Sequence, residues 1–171
     1  MIRIASYIDD SIVDGPGIRF TIFFQGCDHK CKGCFNPETR DFNKGTLIEE
    51  EELFNRIKEN PLLSGVTFSG GDPFYQIKGA LSLAKLIKTT NLNIFAYTGF
   101  LYEELLEKAK SDKDLDELLH LVDYLVDGPF ILEQKDISLR YRGSKNQRII
   151  DLKKSLNERK IVIKDFDSLL Y

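Results

Sequence analysis

All three cysteines of the chain fall between Cys27 and Cys34, in the run Cys27-Asp28-His29-Lys30-Cys31-Lys32-Gly33-Cys34, and no fourth thiol exists elsewhere to close an ordinary metal site. Thiolates are soft donors that suit iron–sulfur clusters and zinc. A four-iron four-sulfur cube held by three of them leaves one iron open to another ligand, and an open iron can do chemistry. Two plainer uses compete. Cys27, Cys31 and Cys34 with His29 make a Cys3His zinc set on paper, although structural zinc sites usually draw ligand pairs from separated turns. Disulfide use would strand an odd thiol, and a reducing compartment is the better expectation. Taken alone, His29 reads as an exposed loop residue.

A second candidate is Phe68-Ser69-Gly70-Gly71-Asp72-Pro73-Phe74. Paired glycines let a backbone approach a ligand where a Cβ would collide; the alternative is a tight turn before a helix. Phe35-Asn36-Pro37, directly after the last cysteine, suits the lining of a nucleoside pocket, with core packing of Phe35 as the alternative. Gly33 offers backbone that a ligand could approach. Arg140, Arg142, Lys145 and Arg148 form a basic cluster that fits either an acidic partner or a solvated loop. Glu49 to Glu52 read as the first turn of a helix, where negative charge meets the helix dipole, rather than as a metal site.

The elements that must position these residues are legible as alternating strands and helices. Strands are predicted over Ile2–Ile8, Arg19–Phe24, Gly65–Ser69, Asn93–Tyr97 and Tyr124–Asp127. Helices are predicted from a capping box at Thr46-Leu47-Ile48-Glu49 to about Lys58, then over 77–89, 102–110 and 115–122. Leu53, Ile57, Leu81, Ala84, Leu86, Leu105, Leu118 and Leu119 are the core candidates on those helices. This is the rhythm of βα units around a parallel sheet, with too few units for a closed eightfold barrel. The cysteine loop, the Gly-Gly-Asp-Pro turn, Tyr97-Thr98-Gly99 and Asp127-Gly128-Pro129 all follow strands, so they are expected at one edge, where α/β sheets build their sites.

Length and composition frame the site. The 171 residues, 42% hydrophobic, show no repeat or linker and are expected to form one domain over 1–171. A net charge of −3 with mixed signs argues against nucleic-acid binding. No stretch approaches the ~20 apolar residues of a membrane span, and the start lacks a signal peptide, so a soluble cytoplasmic protein is expected.

The spacing Cys-x3-Cys-x2-Cys followed by Gly-Gly-Asp-Pro resembles the radical S-adenosylmethionine (SAM) superfamily. With Val13-Asp14-Gly15-Pro16-Gly17-Ile18-Arg19 upstream, the chain is similar to the activating enzymes of glycyl-radical enzymes. Asp127-Gly128-Pro129-Phe130 and the run 142–148 are most similar to the activases of anaerobic ribonucleotide reductase. The resemblance covers about residues 8 to 151. It implies a shortened, partial, open parallel βα barrel, and one 4Fe-4S cluster on Cys27, Cys31 and Cys34. It also implies SAM bound near Gly33, Cys34, Phe35, Gly70, Gly71 and Asp72. Asp72 stands where the superfamily usually has Glu, and Gly33 where it usually has an aromatic residue against adenine. The implied reaction is reductive SAM cleavage and formation of a glycyl radical on anaerobic ribonucleotide reductase, with electrons from a flavodoxin or ferredoxin. An activase of another glycyl-radical enzyme, such as pyruvate formate-lyase, and a zinc-binding interaction module are the alternatives.

Overall fold

The computed structural model describes residues 1–168. Seven strands and five α-helices follow in the order β1 (Ile2–Ser11), β2 (Arg19–Phe24), β3 (Thr46–Ile48), α1 (Glu50–Glu59), β4 (Gly65–Gly70), α2 (Ile77–Ile87), β5 (Asn93–Tyr97), α3 (Tyr102–Ala109), α4 (Lys113–Leu121), β6 (Tyr124–Asp127), β7 (Arg148–Asp151) and α5 (Leu152–Glu158). They build one mixed sheet in the order β3-β1-β2-β4-β5-β6-β7, and the sheet is not closed. Its centre is parallel: β2 pairs with β4, β4 with β5 and β5 with β6. Antiparallel pairs flank this centre, β1 with β2 and β3 on one side and β6 with β7 on the other. The sheet is therefore α/β and open as expected, but mixed at both edges.

From β2 to β6 each new parallel strand joins the same growing edge. Right-handed crossovers then place the connecting helices on one face. Strand alternation divides the side chains accordingly. Phe20, Ile22, Phe24, Val66, Phe68, Ile94, Ala96 and Leu125 share a buried core with Leu53, Ile57, Leu83, Ala84, Ile87 and Leu118 of the helices. The opposite face carries polar and aromatic groups. There Phe95, Val126, Ile149 and Phe166 form a smaller cluster, and Arg19 is wholly buried. Arg19 donates to Thr67 Oγ1 (2.6 Å), Val66 O (2.7 Å), Pro16 O (3.1 Å) and Asn93 O (3.3 Å).

Two local expectations are corrected. Thr46, Leu47 and Ile48 form β3, which pairs with Ile2–Ile4, so the capping box is absent and α1 begins after Glu49 with no side-chain cap. Cross-strand pairing at an otherwise open edge outweighs a local cap. In α2 the buried positions are Ala80, Leu81, Leu83, Ala84 and Ile87, and Leu86 is only half-buried because the helical period turns it aside. β7 and α5 were not foreseen from the sequence; α5 is capped by Asp151, whose carboxylate accepts from the Lys154 amide (3.0 Å). Among the described residues no helix is long and apolar enough to cross a membrane.

Candidate metal and cofactor site

The carboxyl ends of β2, β4, β5 and β6 lie along one sheet edge, and the chain leaves β2 directly into the cysteine loop. That loop is closed at its base: the Gly26 amide donates to Thr39 O (2.7 Å) and the Cys27 amide to Arg40 O (3.1 Å). Gln25 Nε2 reinforces the closure by donating to Glu38 O (3.1 Å) and Asp41 O (2.7 Å). The loop thus has tied ends, as compact surface loops do. Its crown turns through Lys30 (φ 56°) and Gly33 (φ 73°), and the Cys34 amide donates to Cys31 O (3.3 Å). Cys27, Cys31 and Cys34 are all free thiols and all partly accessible. Burial pushes the Cys27 thiol up to about 11, against a smaller lowering from the His29 backbone amide. Taking up a metal would have to displace that proton.

The Gly-Gly-Asp-Pro turn abuts the base of this loop. The Gly71 amide donates to Phe24 O (2.8 Å) and the Asp72 amide to Gly26 O (3.0 Å). The need for glycine comes first from the chain itself. A Cβ on Gly70, at φ +90°, would stand 2.6 Å from the Phe23 and Phe24 backbone; one on Gly71 would stand 2.5 Å from Gly26 O. Glycine therefore serves packing at both positions before any ligand is considered. The Gly71 carbonyl accepts no hydrogen bond among the described residues.

Asp72 is fully buried and joins three loops. Its Oδ2 accepts from His29 Nε2 (2.7 Å), Thr98 Oγ1 (2.8 Å) and the Gly99 amide (2.9 Å), while Oδ1 accepts from the Phe74 amide (2.9 Å). His29 is thus not the exposed loop residue expected from sequence. Its side chain is 14% exposed, its ring meets Phe100 edge-on at 4.6 Å, and it covers Gly99, where a Cβ would lie 2.4 Å from the ring. What sequence reasoning missed is the joining of His29 and Thr98 through Asp72: from the sequence His29 reads only as a zinc ligand or an exposed residue, and Thr98 only as part of a strand-end loop. The available signal was a histidine enclosed between two cysteines of one short loop.

Phe35 is 59% exposed, which removes the core-packing alternative. Its ring packs on Phe130 at 4.8 Å, bringing the far side of the cysteine loop against the segment after β6. Gly33 faces Leu132 of the same segment, whose Cδ1 a Cβ would meet at 3.0 Å. The Gly128 amide donates to Phe100 O (2.9 Å), so all four strand-end loops meet as expected. Asp127 itself is committed to structure. It accepts from the Tyr102 amide (2.9 Å) and from Arg148 Nε (3.0 Å), and Arg148 also reaches Glu103 at 2.6 and 3.0 Å. Two further members of the basic cluster are paired within the chain, Arg142 with Asp167 and the exposed Lys145 with Asp136. Glu49, Glu50 and Glu51 bring ligand atoms within 4.8 Å of one another, but Glu50 takes the Met1 ammonium at 2.8 Å.

Comparison with known proteins agrees with this geometry. A family model described as "4Fe-4S single cluster domain" matches residues 13–150. An anaerobic ribonucleoside-triphosphate reductase-activating protein of Haemophilus influenzae is 36% identical over 84% of this chain and 94% of its own length. Proteins of the same name match from Escherichia coli (34%, covering 86% and 97%) and from Enterobacteria phage T4 (33%, covering 80% and 86%). The chain belongs to this family. Its matched region takes in the cysteine loop with all three thiols, the Gly-Gly-Asp-Pro turn and the post-β6 segment.

Proposed function

We propose that this chain is a radical SAM activating enzyme, an oxidoreductase that generates the glycyl radical of an anaerobic ribonucleoside-triphosphate reductase. The observation that carries this reading is the meeting of three free thiols with the Gly-Gly-Asp-Pro turn at the carboxyl edge of a parallel sheet. The names of the 32–37% identical relatives supply the partner. On this reading the open sheet is the shortened, partial βα barrel of the superfamily.

The residues present fit the cofactors. Cys27, Cys31 and Cys34 would hold one 4Fe-4S cluster, and the absence of a fourth cysteine matches an iron left open for SAM. The free Gly71 carbonyl is an acceptor suited to SAM's ammonium, and Gly33, Cys34, Phe35, Gly70 and Asp72 complete the proposed surround. Bound together, cluster and SAM would supply one-electron reductive cleavage of the sulfonium and the radical that removes hydrogen from the partner's glycine. The chain's own work is placement and exclusion of water. Phe35 and Phe130 present an apolar wall beside the loop, and Asp72 holds three loop ends at fixed distance. A low-potential donor of the flavodoxin or ferredoxin type and a cytoplasmic location complete the proposal.

The test is anaerobic electron paramagnetic resonance (EPR) of the reconstituted protein with SAM, reductant and the reductase, with 5′-deoxyadenosine quantified alongside. A glycine-centred doublet is expected. SAM cleavage without the doublet would discard this reductase as substrate, and zinc uptake without cluster assembly would discard the enzyme. Cys31→Ala is expected to lose both cluster and cleavage; full cleavage in that variant would overturn the ligand set.

A further inference from the structure

Through residues 28–33 the crown of the cysteine loop is held to the rest of the chain by two kinds of contact. One is van der Waals packing, of Gly33 beside Leu132 and of the His29 ring on Phe100 and Tyr75. The other is polar: His29 Nε2 to Asp72 Oδ2 at 2.7 Å, the side-chain hydrogen bond that joins this crown to the body. Donation to the carboxylate comes from a proton on Nε2, and the contact holds the ring in position. The acceptor is itself immobile, being fully buried and receiving Thr98 Oγ1 and the Gly99 and Phe74 amides. Asp72 ends the turn whose preceding residue, Gly71, offers the free carbonyl. One hydrogen bond therefore spans from the thiolate loop to the turn proposed to hold SAM.

We propose that His29 is a positioning residue that locks the cluster loop to the Gly-Gly-Asp-Pro turn, fixing the open iron relative to the SAM-binding backbone. This rests on the radical SAM reading above. Cluster assembly needs only the three thiols, so a broken lock should leave the cluster intact and impair its coupling to SAM. Surrounding groups make the distinction testable. Phe100 and Tyr75 pack on the ring at 4.6 and 5.6 Å, so phenylalanine can keep the packing while losing the donor. Glutamine retains an N–H that can reach Asp72.

The experiment compares wild type, His29→Phe and His29→Gln. Amide hydrogen exchange of the apo proteins is read first, because it needs neither cluster nor SAM. His29→Phe should raise exchange in residues 27–34 and 98–100 at least about tenfold, the scale of a lost hydrogen bond to a charged group, and His29→Gln should restore most of it. In the reconstituted, reduced proteins, all three should contain equal iron and sulfide and give the same EPR spectrum without SAM. The SAM-induced change of that spectrum should need at least about tenfold more SAM in His29→Phe, with recovery in His29→Gln. Unchanged exchange, or a SAM response in His29→Phe equal to wild type, would overturn the lock. If wild type itself showed no SAM response, the function would fall, and the exchange data alone would decide whether His29 fastens the loop.

Discussion

At the scale of single residues, burial sets the chemistry of Cys27 and Arg19. With the Cys27 thiol raised to about 11, the apo protein should hold it protonated at neutral pH. In a Cys31→Ser/Cys34→Ser variant, the iodoacetamide rate at Cys27 is expected to climb about tenfold per pH unit until near pH 11, since the thiolate is the nucleophile. A plateau near the ordinary thiol value of about 8.5 would show that burial does not govern this sulfur. Arg19 is also unusual. Burial lowers its pKa to about 10, still far enough above neutrality to keep it charged, and its donors go to carbonyls and a threonine rather than to a carboxylate. Arg19→Lys keeps the charge but cannot reproduce a planar fork reaching four acceptors. A loss of about 2–3 kcal/mol in urea denaturation is expected, and a change below about 0.5 kcal/mol would mean the fork is dispensable. The chemistry-bearing cysteines were legible in the sequence because metal ligands cluster in short spacings. His29 was not, because its partner Asp72 lies 43 residues away and only the fold brings them together.

At the scale of elements, the central strands and the helices between them were legible because their aromatic, β-branched and amphipathic runs are long enough to show a period. Arg19–Phe24 and Asn93–Tyr97 match their predicted bounds. β3 and β7 were not, and the reason is physical. Each has only three or four residues and owes its extended form to a neighbour, β1 for Thr46–Ile48 and β6 for Arg148–Asp151. A segment that short carries no periodicity of its own; β6, equally short, was legible from its place in the βα rhythm, whereas Thr46–Glu49 looked like a cap and Arg148 like part of a basic cluster. The Gly-Gly-Asp-Pro turn was found by its residue types, yet the reason for its glycines emerges only from the backbone contacts of Gly70 with Phe23 and Phe24 and of Gly71 with Gly26. Gly71→Ala would drive a Cβ to 2.5 Å from Gly26 O and 2.9 Å from Thr39 O, both backbone atoms that cannot swing away. The turn should then separate from the base of the cysteine loop. A destabilisation of about 1–3 kcal/mol is expected from overpacking, measured by urea denaturation, together with faster exchange of the Asp72 amide now bonded to Gly26 O. Wild-type stability in Gly71→Ala would show that the two loops do not need this close approach.

At the scale of the whole molecule, the sheet is open, and its last strand must be secured without a barrel's closure. The fastening is Arg148, at the start of β7, which reaches buried Asp127 at the end of β6 and Glu103 in the first turn of α3. Asp127 also accepts from the Tyr102 amide, so one ionic knot joins two strands and a helix N-terminus. Arg148 is 30% exposed, and solvent screening reduces the value of the contact below that of a fully buried pair. Arg148→Ala leaves Asp127 without its cation and is expected to cost about 2–3 kcal/mol, somewhat less than the ~3–5 kcal/mol of breaking a wholly buried pair. The knot also gives a pH signature. The Arg148 hydrogen bond holds the Glu103 carboxyl below its ordinary range, so its contribution is present above the unfolded carboxyl value of about 4.3 and is lost as pH falls through the lower folded value. Wild type should therefore lose part of its stability over the acid window that opens below about pH 4.3. Arg148→Ala should start lower and show a shallower fall over that window, because Glu103 no longer has a partner to lose. Parallel stability curves for the two proteins across that window would mean that Glu103 adds nothing to the fastening and that the edge beneath the post-β6 segment is held by Asp127 and strand pairing alone.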